Sequence, residues 1–259
     1  MMEPEKEILE QTKGVAVEVY KDALSPVVKP IGEILGFLPR TLKLTLSGWE
    51  KWLINGEESL RSTAEAIKEK VKKIPDGQLV EPEPYVAIPA IQQISYCQDS
   101  EELRDLYANL LTASMNAEKK WQVHPSFVDI IKQLTPDEAK YLRTLHRSTA
   151  FGYPLIDVQF VKKENVSVIT NFTDHNIRVL EHPKNIRSYI ENLNRLSLIV
   201  ISPAHDESKL SKEVIQYYEK IKTHLANVTN HEEDESYILN YKQFSLTNFG
   251  LNFIKVVCM

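Results

Sequence analysis

"HPKNIRSYIENLNRLSLIVIS", residues 182–202, changes periodicity in mid-course, and that change sets the fold class. Ile186, Ile190, Leu193 and Leu196 return every three or four residues, the spacing of one helical face. Three β-branched residues in a row, Ile199, Val200 and Ile201, then favour a strand. A helix running straight into a strand calls for a sheet, however small, beside the helices.

The neighbouring segments agree. "YPLIDVQFVKK" (153–163) and "NVSVIT" (165–170) lean towards strands, and "SYILNYKQFSLTNFGLNFIKVV" (236–257) reads as a strand followed by a helix capped by Thr247. Between them, Leu210, Val214, Tyr217, Ile221, Leu225 and Val228 mark an amphipathic helix over 208–228. Elsewhere helical spacing dominates. The stretch "VHPSFVDIIKQLTPDEAKYL" (123–142) holds two helix starts: His124 is kept out of helix by Pro125, and Thr135, Pro136 and Glu138 have the pattern of a capping box with a first-turn proline. Phe127, Ile131 and Leu134 supply the apolar stripe of the first helix.

Further upstream, "DSEELRDLYANLLTASM" (99–115) predicts a helix capped by Asp99 with Glu102, and Pro89 is read as opening a helix that runs to about Cys97. "PDGQLVEPEPY" (75–85) breaks the pattern with three prolines and a glycine, and serves as a linker. Before it, Leu60, Ala64, Ile67, Val71 and Ile74 form a narrow stripe suited to a partner helix. Residues 3–24 read as a helix, and "SPVVKPIGEILG" (25–36) begins another after Ser25 and Pro26. "TLKLTLSGWEKWLI" (41–54) carries both strand and helix signals. The expected organisation is an N-terminal helical region (1–74), a linker (75–85), a central helical segment (86–134) and an α+β domain (135–259), mainly α with a small β component.

Composition narrows the function. Eight glycines in 259 residues argue against glycine-rich phosphate loops and a turn-dense all-β fold. The net charge of −5 gives no global attraction to nucleic acid or anionic lipid. Cys97 and Cys258 are too few and too far apart for a disulfide framework or a zinc knuckle. The acidic start "MMEPEKEILEQTKG" lacks the apolar core of a signal peptide, and Lys29, Glu33, Arg40 and Lys43 interrupt the most hydrophobic region, so a cytoplasmic location is expected. No histidine pair stands four apart on a helix, and the phosphate-loop, dinucleotide and nucleophile-elbow motifs are missing. Glu101, Glu102 and Asp105 could converge as an acid cluster, but their place in the first turns of a helix is accounted for by the helix dipole. No catalytic, cofactor or metal residue is assigned. An enzyme assembled from distant residues, such as His124 with Glu101 or Asp105, is the third class beside binding protein and regulator.

Two resemblances add to this reading. "NRLSLIVIS", "YILNYKQFSLT" and "LTNFGLNFIKVV" resemble a winged-helix domain over about residues 135–259, with the departure that the segment between the two wing strands holds a helix of its own. That likeness implies a recognition helix, on which Lys184, Arg187 and Arg195 would meet phosphates. The acidic run "HEEDES" (231–236) beside the presumed wing opposes this and ranks nucleic acid below protein as a partner. "EELRDLYANLLTASMN" (101–116), "VHPSFVDIIKQLTPDEAKYL" and "LTNFGLNFIKVVC" resemble the Abi-alpha family of bacterial proteins, and "SPVVKPIGEILG" suits it too. The family resemblance implies phage defence by abortive infection and carries over no catalytic residue. The expected function is therefore non-enzymatic, through protein contacts, self-association or a membrane surface. Phe37, Leu38, Trp49 and Trp52, interleaved with Lys29, Arg40, Lys43 and Lys51, form the candidate interaction surface. The alternative is a winged-helix transcription regulator.

Overall fold

The helical spacing before the linker produces α1, Leu53–Val71, which buries Thr63 and Ile67 and ends with Lys68 and Lys70 in its last turn, where cations suit the helix dipole. The structure is a computed structural model and describes residues 53–75, 77–94, 96–97, 99–145, 152–162, 165–204, 212–229 and 235–258. The helices expected at 3–24 and from Ser25, the ambiguous 41–52, and Phe37, Leu38, Trp49 and Trp52 lie outside these residues, as do 231–234.

The chain divides into two compact units, Met1–Val128 and Asp129–Met259. In the first, α1 is followed by α2 (Pro84–Ile94) and α3 (Glu101–Ser114). Two local readings need correction here. α2 opens at Pro84, not Pro89, because Glu83 accepts the first helical N–H groups, from Val86 and Ala87, at 3.0 and 2.9 Å. Pro89 sits inside the helix, where its missing donor deprives only the carbonyl of Tyr85, in an exposed first turn open to water. α3 is capped by Ser100, not Asp99: Ser100 has extended φ/ψ, and its hydroxyl accepts from Leu103 N–H at 3.2 Å. Ile91 and Ile94 of α2 and Leu106, Tyr107 and Leu110 of α3 make the core, and Lys70 joins Asp105 at 2.9 Å to tie α1 to α3.

α4 (Ser126–Lys132) spans the division between the units. In the second unit, α5 (Pro136–Leu145) precedes the hairpin β1 (Tyr153–Lys162) and β2 (Asn165–Phe172). Then come α6 (Ile186–Arg195), β3 (Ile199–Pro203), α7 (Lys212–Thr229), β4 (Glu235–Leu246) and α8 (Asn248–Val257). The strands form one antiparallel sheet in the order β2-β1-β4-β3. The class is mainly helical with a small sheet.

Alternation divides the sheet into two faces. Ile156, Val158, Phe160, Leu239 and Tyr241 lie on one, where α7 brings Val214, Tyr217, Tyr218 and Ile221 against them. On the other, Tyr153, Leu155, Phe244 and Ile199 are buried near the base. The half-buried ion pair Asp157–Lys242, at 2.9 Å, ends that apolar zone. Past it the same face carries Gln159, Val161, Val166, Val168 and Ile238, matched across the strands as Val161↔Val166, Gln159↔Val168 and Gln159↔Ile238.

α6 passes into β3 through a Schellman turn. Ser197 takes φ 58, its N–H bonds Asn194 O at 2.9 Å, and Leu198 N–H reaches back to Leu193 O at 3.0 Å. α8 starts against the same turn. Thr247 caps it by accepting from Gly250 N–H at 2.8 Å and donates its hydroxyl to Ser197 O at 2.7 Å. A Cβ on Gly250 would stand 1.9 Å from the carbonyl oxygen of Leu198, so only glycine permits this approach.

Candidate functional site

The block 123–142 resolves into caps. His124 is exposed; its Nδ1 lies 2.6 Å from Ser126 Oγ and accepts Ser126 N–H at 3.2 Å, which dresses the start of α4. Thr135 and Glu138 bond reciprocally: Glu138 N–H to Thr135 Oγ1 at 3.2 Å, and Thr135 N–H to Glu138 Oε2 at 2.6 Å. Glu138 is buried, and its other oxygen accepts from Asn192 Nδ2 at 2.7 Å, which joins α5 to α6.

Asp137, beside it, is also buried and accepts three bonds from far along the chain: Glu181 N–H at 2.9 Å, His182 N–H at 2.8 Å and the Tyr189 hydroxyl at 3.1 Å. Burial by itself would raise the Asp137 carboxyl, but these donors and the nearby Lys140 outweigh it and hold the group below its ordinary value. Asp137 and Glu138 are thus staples: the first holds α5 to the segment that enters α6 and to Tyr189 of α6, the second to Asn192 of α6. The sequence offered a signal for Glu138 in its cap spacing, and none for Asp137, whose partners lie 44, 45 and 52 residues away.

Other reactive groups are similarly occupied. Burial pushes the Cys97 thiol up to about 11, with Arg104 only partly opposing, and its sulfur faces Gln93 O at 3.4 Å. A thiol so protonated is a poor nucleophile. Asp105 is paired with Lys70 at 2.9 Å. Among the described residues, no group of three His, Cys, Asp or Glu is placed to hold a metal ion.

The basic residues assigned to nucleic-acid contact lie on or next to α6. Lys184 is exposed in the turn before it, and Arg187 and Arg195 are exposed at its two ends. Arg187, Glu191 and Arg195 follow one another at four-residue steps, so an acid stands between the two arginines on one face. Arg195 is also engaged: Nε and Nη2 donate to Asn192 Oδ1 at 3.1 and 2.6 Å, and Nη1 to Gln133 Oε1 at 3.0 Å.

A different surface stands out in the N-terminal unit. Segment 78–83 is stitched to 115–120 by Val80 N–H to Met115 O and Ala117 N–H to Gln78 O, both 2.9 Å, and by Lys120, which reaches Glu81 O at 3.0 Å and Glu83 at 2.7 Å. Around this clasp sit Trp121, 79% exposed, Tyr85, 61% exposed, and Leu79, 47% exposed. Large apolar side chains are more often turned inward, and Trp121 is the most exposed of the large hydrophobic residues among those described. Sequence reading passed over Trp121 because the fragment "KKWQ" has no periodicity to place it outside or in.

Comparison with known proteins bears on most of the chain. The family model described as "Abortive infection alpha" matches residues 55–257. No curated protein matches. A solved structure of an uncharacterized protein from the hydrocarbon-degrading marine bacterium Alcanivorax borkumensis SK2 is 12% identical with a TM-score of 0.31, covering 55% of this chain and 96% of its own. No described helix is long and apolar enough to cross a membrane.

Proposed function

Because the chain belongs to the abortive infection alpha family, we propose that it serves phage defence as a non-enzymatic cytoplasmic protein that works by binding a protein partner. The exposure of Trp121, Tyr85 and Leu79, each near the stitched segments in the chain, supports this reading, since exposed aromatic side chains are suited to bury against a partner. Asp137, Glu138 and Cys97 are each engaged within the fold, which is in keeping with this reading. Phe37, Leu38, Trp49 and Trp52 extend the proposal to a second surface, for protein or for membrane.

Plaque assays with and without the gene test the defence role. Across diverse phages, unchanged phage yield and unchanged host survival would remove it. Trp121→Ala with Tyr85→Ala should abolish protection while leaving the melting temperature within about 2 °C of wild type, as expected of surface changes worth under about 0.5 kcal/mol. Flotation with anionic vesicles separates protein contact from membrane contact.

The second reading is a transcription regulator of winged-helix type. Its support is the passage from α6 into β3 with Lys184 and Arg187 exposed nearby. Duplex DNA retarded at low salt, with affinity falling steeply as salt rises, would favour it over the first.

A further inference from the structure

The two outer strands of the sheet are guarded unequally. β3 has five residues and ends at Pro203, which has no N–H to offer; the next donor, Ala204 N–H, turns inward to Tyr241 O at 3.0 Å. β2 has eight residues, "NVSVITNF", with no charge and no proline. No strand borders its outer side among the described residues. Val166 and Val168 are 56% and 53% exposed, and Ser167 and Thr170 are exposed between and beyond them. The register irregularity lies at the Ile156/Val158 end, so 165–169 stay in regular extended pairing with β1. Such an edge presents a row of backbone donors and acceptors ready for another strand.

We propose that β2 pairs antiparallel with β2 of a second copy of this chain, about a two-fold axis at Ser167, to give one eight-stranded sheet. The sequence of the strand is self-complementary in that register. Ser167 meets Ser167, and each copy's Val166 faces the other's Val168, so two valine pairs form on one face. That is the face already carrying Val161 and Ile238, and the two exposed apolar stripes become continuous across the axis. Charge on the strand does not oppose the same occupant. Two copies of a chain with net charge −5 repel each other in general, and β2 carries none of that charge. Because a two-fold pairing uses β2 of both copies, that edge is closed at two copies, and the short β3, ended by Pro203, offers less for further growth. The pairing stands independently of the defence role.

Sedimentation velocity on the full chain across a concentration range tests this, with Val166→Lys/Val168→Lys as the edge variant and Val200→Lys, on β3, as the control. The wild type and the control are expected to sediment as dimers and the edge variant as a monomer, its dissociation constant raised at least about tenfold. A wild type that stays monomeric, or an edge variant that stays dimeric, overturns the proposal. If the lysines impair folding, Ser167→Cys decides: across the axis its Cα atoms would lie about 4.5–5.5 Å apart, within disulfide reach. Mild oxidation should then give a covalent dimer beyond any formed by the wild type or by Val200→Cys, and equal yields in all three overturn it.

Discussion

Asp137 accepts three hydrogen bonds in a buried setting, and its carboxyl is held low by them. The folded state therefore binds the proton later than the unfolded chain as pH falls. This contribution is fully present above about pH 4, the unfolded carboxylate range, and is lost as pH drops through the lower folded value. Asp137→Asn should cost about 1–3 kcal/mol at neutral pH and flatten the acid limb of the stability curve, as read by urea unfolding between about pH 5 and 2. His175 acts at milder pH. Burial against Tyr153, 4.8 Å away between ring centroids, lowers its affinity for a proton, with Asp174 only partly opposing. The unfolded chain gains that proton near pH 6.5 and the folded one only lower, so stability falls as pH goes from about 7 to 5. His175→Phe should remove this slope while keeping the ring contact, and an unchanged slope would assign it to another group. Backbone demands are equally local. Gly250→Ala should destabilise by at least about 1–3 kcal/mol, because the carbonyl of Leu198 must move. Ser197→Gly should stabilise by up to about 1 kcal/mol by relieving the left-handed conformation.

At the scale of elements, local chemistry was legible and pairing was not. Thr135, Pro136 and Glu138 specify a helix start by themselves, and the start is where they place it; Thr247 does the same for α8. Thr135→Ala should cost about 0.5–2 kcal/mol in chemical denaturation, and more with Glu138→Ala, which also leaves Asn192 without its carboxylate. Asp99 and Pro89 misled for related reasons. Two adjacent residues could each cap α3, and their backbone angles, invisible in sequence, chose Ser100. A proline near a helix start is tolerated at more than the first position when the deprived carbonyl faces water. The four strands were visible as β-leaning runs, yet nothing in those runs says that β4 lies between β1 and β3.

On the scale of the whole molecule, the same limit applies to the proposed contact surface. The exposure of Trp121 is a tertiary fact, set by the clasp between 78–83 and 115–120, and Lys120, which fastens that clasp, is its chain neighbour. Lys120→Ala should loosen the loop and reduce protection in plaque assays less than Trp121→Ala does, since a surface ion pair contributes about 0–1 kcal/mol. The central place of β4 also bears on how the protein comes into being. The hairpin of β1 and β2 leaves the ribosome well before residues 235–246, and β3 has no partner until they arrive. In that interval β1 shows an uncovered inner margin, and closing the sheet means linking parts of the chain that were made far apart. Slow closure of the sheet in this half is the consequence, since its central pairings are the most distant in the chain.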